Sequence, residues 1–403
     1  MPHTHSVSIV FFIGAGSCYE ANAEAGISHF VEHLCFKGTK KRRTPKEISE
    51  AIEGVGGIIN GGTDKEITSF WCKVTSQHFF LALDVLIDLL RNSRFDAKDI
   101  DRERQVIIEE INMNLDTPQC RVDMLIDELL WAGQPLGRDI AGSKDTVAAI
   151  TQQQMLDFFS QYYLPNNIVV SIAGNIEHDD IQDAIHQALD DSRPGDKPVH
   201  LTNGRKMNTG RLNIEFRDTK QAHLCLGVPG VSLFHPDRYT IDLLNVILGS
   251  GMSSRLFTEV REQQGLAYDI HSHADHFTDS GAIIVHAGVD PRRISNAVAA
   301  IISQLLQLQE NISQAELNKA KELIKGRLLL GMENNQNVAS WAGAQEMLSN
   351  RILTIEEVTS IVEATTIEDI RRVAQQFMTN EEINLAVVVS VKARESPAKL
   401  LKL

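Results

Sequence analysis

The sequence has no stretch of eighteen or more consecutive apolar residues, so no transmembrane helix and no membrane insertion are expected. It has no Cys-x-x-Cys pair. The five cysteines, Cys18, Cys35, Cys72, Cys120 and Cys225, are scattered and odd in number, which argues against a disulfide framework or a structural zinc knuckle. Reduced thiols in a cytoplasmic compartment are the expectation. Positive charge is also short: the formal net charge of −14 speaks against a nucleic-acid partner. No Lys or Arg precedes the apolar run in MPHTHSVSIVFFIGAGS, so that run reads as a strand rather than a signal peptide. Low-complexity tracts are missing too. What remains is the composition of a globular protein, 43% hydrophobic and 23% charged, whose 403 residues call for about two domains.

The chain is written twice. EGVGGIINGGTDKEITSFWCKV, near residue 54, is followed by the amphipathic helix FLALDVLIDLLRNS; QGLAYDIHSHADHFTDSGAIIVHAGV, near residue 265, is followed by ISNAVAAIISQLLQL. The displacement is about 211 residues. A long helix follows in each half, DAKDIDRERQVIIEEINMNL and SQAELNKAKELIKGRLLLGM, and then two helices and a β-branched strand. Residues 190–211, rich in Pro, Gly, Asn and charge, read as an interdomain linker between a first domain, 1–195, and a second, 212–403. Hairpin strands mixed with runs of helices predict an α+β fold of two similar α/β-sandwich-type domains.

Against this duplicated background one motif occurs once. His29-Phe30-Val31-Glu32-His33 puts two imidazoles one turn apart on a helix with a carboxylate beside the second. That is the inverted H-x-x-E-H order: two neutral imidazoles to hold zinc and a glutamate to take a proton from an activated water. The helix is expected to run from Gly26–Ser28 to just before Gly38, a C′ glycine, with Ile27, Val31 and Leu34 as its apolar stripe and the histidines off it. Cys35 reads as a small buried residue, and the basic run from Lys37 to Arg43 as a solvated loop. In the second half the motif maps onto Thr240–Leu244, which has neither His nor Glu. A catalytic zinc needs a third ligand from another element. The acidic helix Asp99–Asn114 offers Glu103, Glu109 and Glu110; Glu103 and Glu110, two turns apart, face the same way, so that one can bind metal and the other orient an imidazole. Spacing leaves Glu109 and Glu110 both open.

HFVEHLCFKGT followed by ERQVIIEEINMNLDTP resembles the pitrilysin/insulysin family of zinc peptidases, and within it the short two-domain branch of mitochondrial processing peptidase and its bacterial relatives. The resemblance covers nearly the whole chain. It implies Glu32 as general base, His29, His33 and Glu110 as ligands of one zinc ion, and Glu103 as the acid supporting the site. SSRLFTEVREQQGLAYDI resembles the segment whose Arg and Tyr reach substrate, which implies that role for Arg261 and Tyr268. GGIINGGTDKEITSFW matches the strand edge that pairs with substrate backbone, usually Asn-Ala-x-Thr; here Asn60, Gly61 and Gly62 stand before Thr63. Family members also begin about twenty residues earlier, so either this sequence starts late or its first sheet lacks a strand, leaving an edge open.

The expected activity is therefore peptide-bond hydrolysis by a metalloendopeptidase, on peptides or unfolded segments held in a chamber between the halves. Glu32 takes the proton of the attacking water and passes it to the leaving amine, while Tyr268 donates to the developing oxyanion. Pairing as a homodimer, or as a heterodimer with a related chain, is what the branch implies. The rival readings are a non-catalytic partner subunit of a processing-peptidase-like heterodimer and a non-proteolytic metal hydrolase.

Overall fold

In the computed structural model, residues 1–189, 195, 211–379 and 381–390 are described. The expected linker, 190–211, lies outside them except for Gly195 and Arg211. The N-terminal apolar run forms a strand, β1 (Ser6–Ile13), as its β-branched and aromatic residues predict. It is buried on both faces because it is paired on both edges and covered above and below. Next come α1 (Ile27–Cys35), α2 (Pro45–Glu53), and a hairpin of β2 (Ile58–Thr63) and β3 (Thr68–Thr75). Then follow α3 (Phe79–Asn92), α4 (Ala97–Asp116), α5 (Pro118–Leu130), α6 (Lys144–Ala149), α7 (Gln152–Tyr162), β4 (Ile168–Gly174) and α8 (His178–Leu189).

The second half repeats this order. An extra strand, β5 (Leu212–Phe216), precedes β6 (Ala222–Pro229) and α9 (Arg238–Gly249). A π-helical stretch, Leu256–Gln263, leads into the hairpin of β7 (Ala267–His276) and β8 (Gly281–Val289). After it come α10 (Ile294–Gln307), α11 (Gln314–Gly331), α12 (Asn335–Ser349), α13 (Ile355–Ala364), α14 (Ile367–Phe377) and β9 (Asn384–Val389). The first sheet has the order β2-β3-β1-β4 and the second β5-β9-β6-β8-β7. With β5 set aside, the two orders are the same, which is the duplication in three dimensions. Among the described residues no strand in the first sheet corresponds to β5, so β4 pairs only with β1 there.

The compact units exchange one segment each across the division of the chain at 190–211. Residues 113–137, with α5, group with the second half, and Leu330–Ile352, with α12, group with the first. The boundaries 1–195 and 212–403 therefore need this correction. α5 buries Val122, Leu125, Ile126 and Leu129 and packs on β6 and β9. α12 lays Ala339 and Gly343 on β1 and β4, in contact with Val10, Phe12 and Ala173. Amphipathic spacing shows that a helix is buried on one face, but not which sheet covers that face.

Two features of the first unit position a site. Among the described residues β2 is an edge strand, hydrogen-bonded to β3 alone, with residues alternating between exposed and half-buried. α1 starts from Gly26, whose φ of 96° is left-handed and suits glycine. Orphan amides at this start are met by Glu20: its carboxylate accepts from Gly26 N–H at 2.9 Å and Ser28 N–H at 2.8 Å. The helix ends at Cys35 with Phe36 as its cap, so Gly38 falls two residues beyond the cap rather than at C′. Among the described residues, no helix is long and apolar enough to cross a membrane.

Candidate metal centre

Ile27, Phe30, Val31, Leu34 and Cys35 turn the apolar side of α1 inward, and His29, Glu32 and His33 leave from another side. The two imidazoles converge tip to tip, with His29 Nε2 3.1 Å from His33 Nε2. Across from them, α4 presents Glu110, whose Oε1 is 3.8 Å from His29 Nε2 and whose Oε2 is 3.8 Å from His33 Nε2. Its neighbour Glu109 is exposed and accepts from Asn112 Nδ2 instead. The face of α4 thus turns Glu110, and not Glu109, toward the two imidazoles.

Glu103, two turns before Glu110, is buried. Its Oε1 accepts from His33 Nδ1 at 2.9 Å and its Oε2 pairs with Lys37 Nζ at 2.8 Å. Lys37 is therefore built into this corner, not a solvated loop charge. Farther along the same basic run, Arg42 pairs with Asp84 and with the buried Asp88. Glu32 lies under β2. Thr63 Oγ1 donates to its Oε2 at 3.1 Å, and a Cβ on Gly61 would stand 2.9 Å from its Oε1. The departure from alanine at position 61 thus has a steric counterpart: the strand comes so close that a side chain would press on this carboxylate and on Phe36. Asn60, Gly61 and Gly62 all lie on β2, and Asn60 Oδ1 accepts from Gly61 N–H at 2.9 Å.

The electrostatics follow from burial and these pairings. Burial, helped by the neighbouring His33, pushes His29 down to about 4, so it is neutral at pH 7. For His33, burial works against the charged form, but the hydrogen bond to Glu103 and the carboxylates of Glu32, Glu103 and Glu110 outweigh it and raise the ring above its ordinary value. Burial would raise Glu103; His33 and Lys37 overcome it and hold the carboxyl below the usual range. Glu32 is raised, chiefly by burial, with His33 and Thr63 opposing.

The donor set fits a divalent metal. Zinc–nitrogen and zinc–oxygen bonds of about 2.0–2.2 Å at tetrahedral angles put ligand atoms roughly 3.3–3.6 Å apart. The observed separations of 3.1 and 3.8 Å straddle that range. Glu103 fixes the Nδ1–H tautomer of His33 and so leaves the Nε2 lone pair free for a metal. His29 Nδ1 is buried and has no hydrogen-bond partner among the described residues. The carboxylate of Glu32 also comes within 4.8 Å of both imidazoles, so it borders the same point.

Arg261 and Tyr268 belong to the second unit and meet each other there. The guanidinium of Arg261 lies 5.4 Å from the Tyr268 ring centroid and 4.5 Å from that of Phe257, and Tyr268 is exposed. Glu20, Thr63 and the partnership of Lys37 with Glu103 were not apparent from the sequence: each joins a loop or strand residue to a distant element, and no periodicity signals it. Cys35 is fully buried, as expected.

Residues 1–144 match the family model described as insulinase (peptidase family M16), and residues 149–324 match the one described as the peptidase M16 inactive domain. An uncharacterized zinc protease of Bacillus subtilis, YmxG, is 34% identical over 393 residues, covering 96% of this chain and 94% of its own. Another, from Streptomyces coelicolor, is 32% identical and covers 98% of this chain and 87% of its own. Among solved structures, a protease from Helicobacter pylori superposes with a TM-score of 0.90 at 22% identity, covering 96% of this chain and 94% of its own.

Proposed function

This chain belongs to the insulinase family, peptidase family M16, and we propose that it is a zinc-dependent endopeptidase acting on peptides or unfolded segments, with His29, His33 and Glu110 holding one zinc ion and Glu32 as general base. The observation that carries this reading is the convergence of His29 Nε2, His33 Nε2 and both Glu110 oxygens on one point, with the Glu32 carboxylate at its margin. Zinc in that position supplies a Lewis acid that acidifies water and polarises a carbonyl. Glu32 takes the proton of the attacking water at a carboxylate oxygen and returns it to the nitrogen of the leaving amine. Its burial brings its proton affinity toward neutral pH, which suits both transfers. Glu103 holds the His33 ring in one tautomer, and Lys37 keeps Glu103 ionised.

Substrate backbone adds to the open edge of β2 as an extended strand, displacing the Asn60 side chain from the Gly61 amide. Gly61 and Gly62 leave room for it. Arg261 and Tyr268 are the substrate-binding residues proposed for the second unit. Their support is mutual stacking beside an exposed phenol, whose hydroxyl is free to donate to an oxyanion. A cytoplasmic setting and pairing with a second copy or a related chain complete the reading; the five cysteines, which form no disulfide among the described residues, support the former.

The non-catalytic alternative draws on the inactive-domain description of residues 149–324. That description suits the second half, where α9 has no His or Glu at Thr240–Leu244; the candidate ligands and base of the first half are all present. The test is zinc content measured together with cleavage of a quenched fluorescent peptide library. One zinc per catalytic centre and cleavage that a chelator abolishes are expected. Chelator-insensitive cleavage, or zinc uptake without cleavage of any peptide, overturns the reading.

A further inference from the structure

The face of the second sheet covered by α5 differs from its counterpart in the first unit. There, α12 covers Val10 and Phe12, with Trp71 and Val169 beside them, in an apolar cluster. In the second unit, α5 instead faces a row of chemistry-bearing side chains. Cys225 on β6 and His286 on β8 are cross-strand partners, and His271 on β7 is the next partner along the same row. Asp123 on α5 closes on them from above. Cys225 Sγ is 3.3 Å from Asp123 Oδ1 and 3.1 Å from His286 Nδ1, and His286 Nδ1 is 2.9 Å from Asp123 Oδ1.

One thiol, one imidazole and one carboxylate therefore aim three potential ligand atoms at a common point, from three separate elements. The distances of 2.9 and 3.1 Å are a few tenths of an ångström shorter than the roughly 3.3–3.6 Å that zinc-class coordination requires, and the third, 3.3 Å, lies at its lower edge. The outer side of the imidazole is supported as a metal-bound histidine requires. His286 Nε2 is 3.2 Å from His273 Nδ1, and His273 Nε2 is 3.3 Å from Asp275 Oδ2. The His271 and His273 rings each stack at 4.9 Å on His286 and hold its plane. Cys225 is fully buried, whereas Asp123 keeps half of its side chain in solvent.

We infer that Asp123 Oδ1, Cys225 Sγ and His286 Nδ1 form a second, non-catalytic site for a zinc-class divalent cation, which fastens α5 to the second sheet. Mixed thiolate, imidazole and carboxylate donors favour zinc or cobalt(II) over magnesium or calcium. Binding balances simply. The Cys225 thiol releases its proton to water. The His286 hydrogen moves from Nδ1 to Nε2, where it donates to His273 Nδ1, and His273 donates onward to Asp275. One proton is released for each cation bound.

The test is reconstitution of the full, metal-stripped chain with cobalt(II). A thiolate ligand gives a sulfur-to-cobalt charge-transfer band in the near ultraviolet; His29, His33 and Glu110 contain no sulfur and cannot produce one. Two equivalents and that band are expected from the wild type. The variant His29→Ala/His33→Ala should keep the band with one equivalent, and Cys225→Ser should lose it with one equivalent. Should Cys225→Ser fold poorly, Asp123→Ala, at a half-exposed helix position, should weaken cobalt binding in the band-forming site at least about tenfold. No band in the wild type, or a band that survives Cys225→Ser, overturns the inference. One silent equivalent in the wild type would sink this site and spare the catalytic one. A band with no second equivalent would do the reverse.

Discussion

His33 Nδ1 and Glu103 Oε1 are 2.9 Å apart, and this hydrogen bond joins the motif helix to α4. It fixes which nitrogen of His33 carries the hydrogen and so which lone pair faces His29 and Glu110. Glu103→Ala removes that restraint and leaves Lys37 without its carboxylate. Zinc affinity should fall about 10- to 100-fold, read by competition with a chromophoric chelator. An affinity within about twofold of wild type would mean that α4 contributes only Glu110.

The approach of Gly61 to Glu32 predicts an asymmetry between adjacent glycines. A Cβ at Gly61 would press on Glu32 Oε1 and on Phe36, whereas one at Gly62 has only Ser69 Oγ at 4.0 Å. Gly61→Val should lower kcat roughly 10- to 100-fold by displacing the base, with zinc content unchanged. Gly62→Ala should change kcat by less than about twofold. Equal losses at the two positions would show that the strand edge, rather than the Glu32 carboxylate, is the sensitive element.

Glu20 predicts how stability depends on pH. Burial raises its carboxyl to about 7, against the opposing hydrogen bonds from Gly26 and Ser28 and the charge of Arg138. Between about 4.5 and 7 the folded chain holds a proton that the unfolded chain has lost, so this group's contribution to stability falls as pH rises through that window. Its contribution is greatest below about pH 4.5. Glu20→Gln does not titrate. The stability difference between wild type and variant should therefore drift against the wild type by an amount of order 3 kcal/mol from pH 4.5 to 7, seen in denaturant midpoints. A difference independent of pH would contradict the raised carboxyl.

The contrast between what the sequence discloses and what it hides follows from range. His29, Glu32 and His33 are legible because helical spacing alone puts them together, and the pair Glu103 and Glu110 because two turns share a face. Glu109 could not be separated from Glu110 without the orientation of α4 against α1. Thr63 over Glu32 and Glu20 under α1 are contacts between elements, with no local pattern. The exchange of α5 and α12 was hidden for the same reason: their apolar faces state that they are covered, not by which sheet. Asp123, Cys225 and His286 lie on three elements as many as 163 residues apart in sequence, so their meeting becomes visible only when β6, β8 and α5 are in place.

Glu32, proposed as base, and Glu110, proposed as ligand, border the same point. Measuring zinc content and peptide cleavage together in Glu32→Gln tests this division of roles most directly. Zinc bound by His29, His33 and Glu110 is expected to stay at the wild-type level while kcat falls about 10²- to 10⁴-fold. Wild-type cleavage by that variant, or loss of that zinc along with activity, would contradict the division.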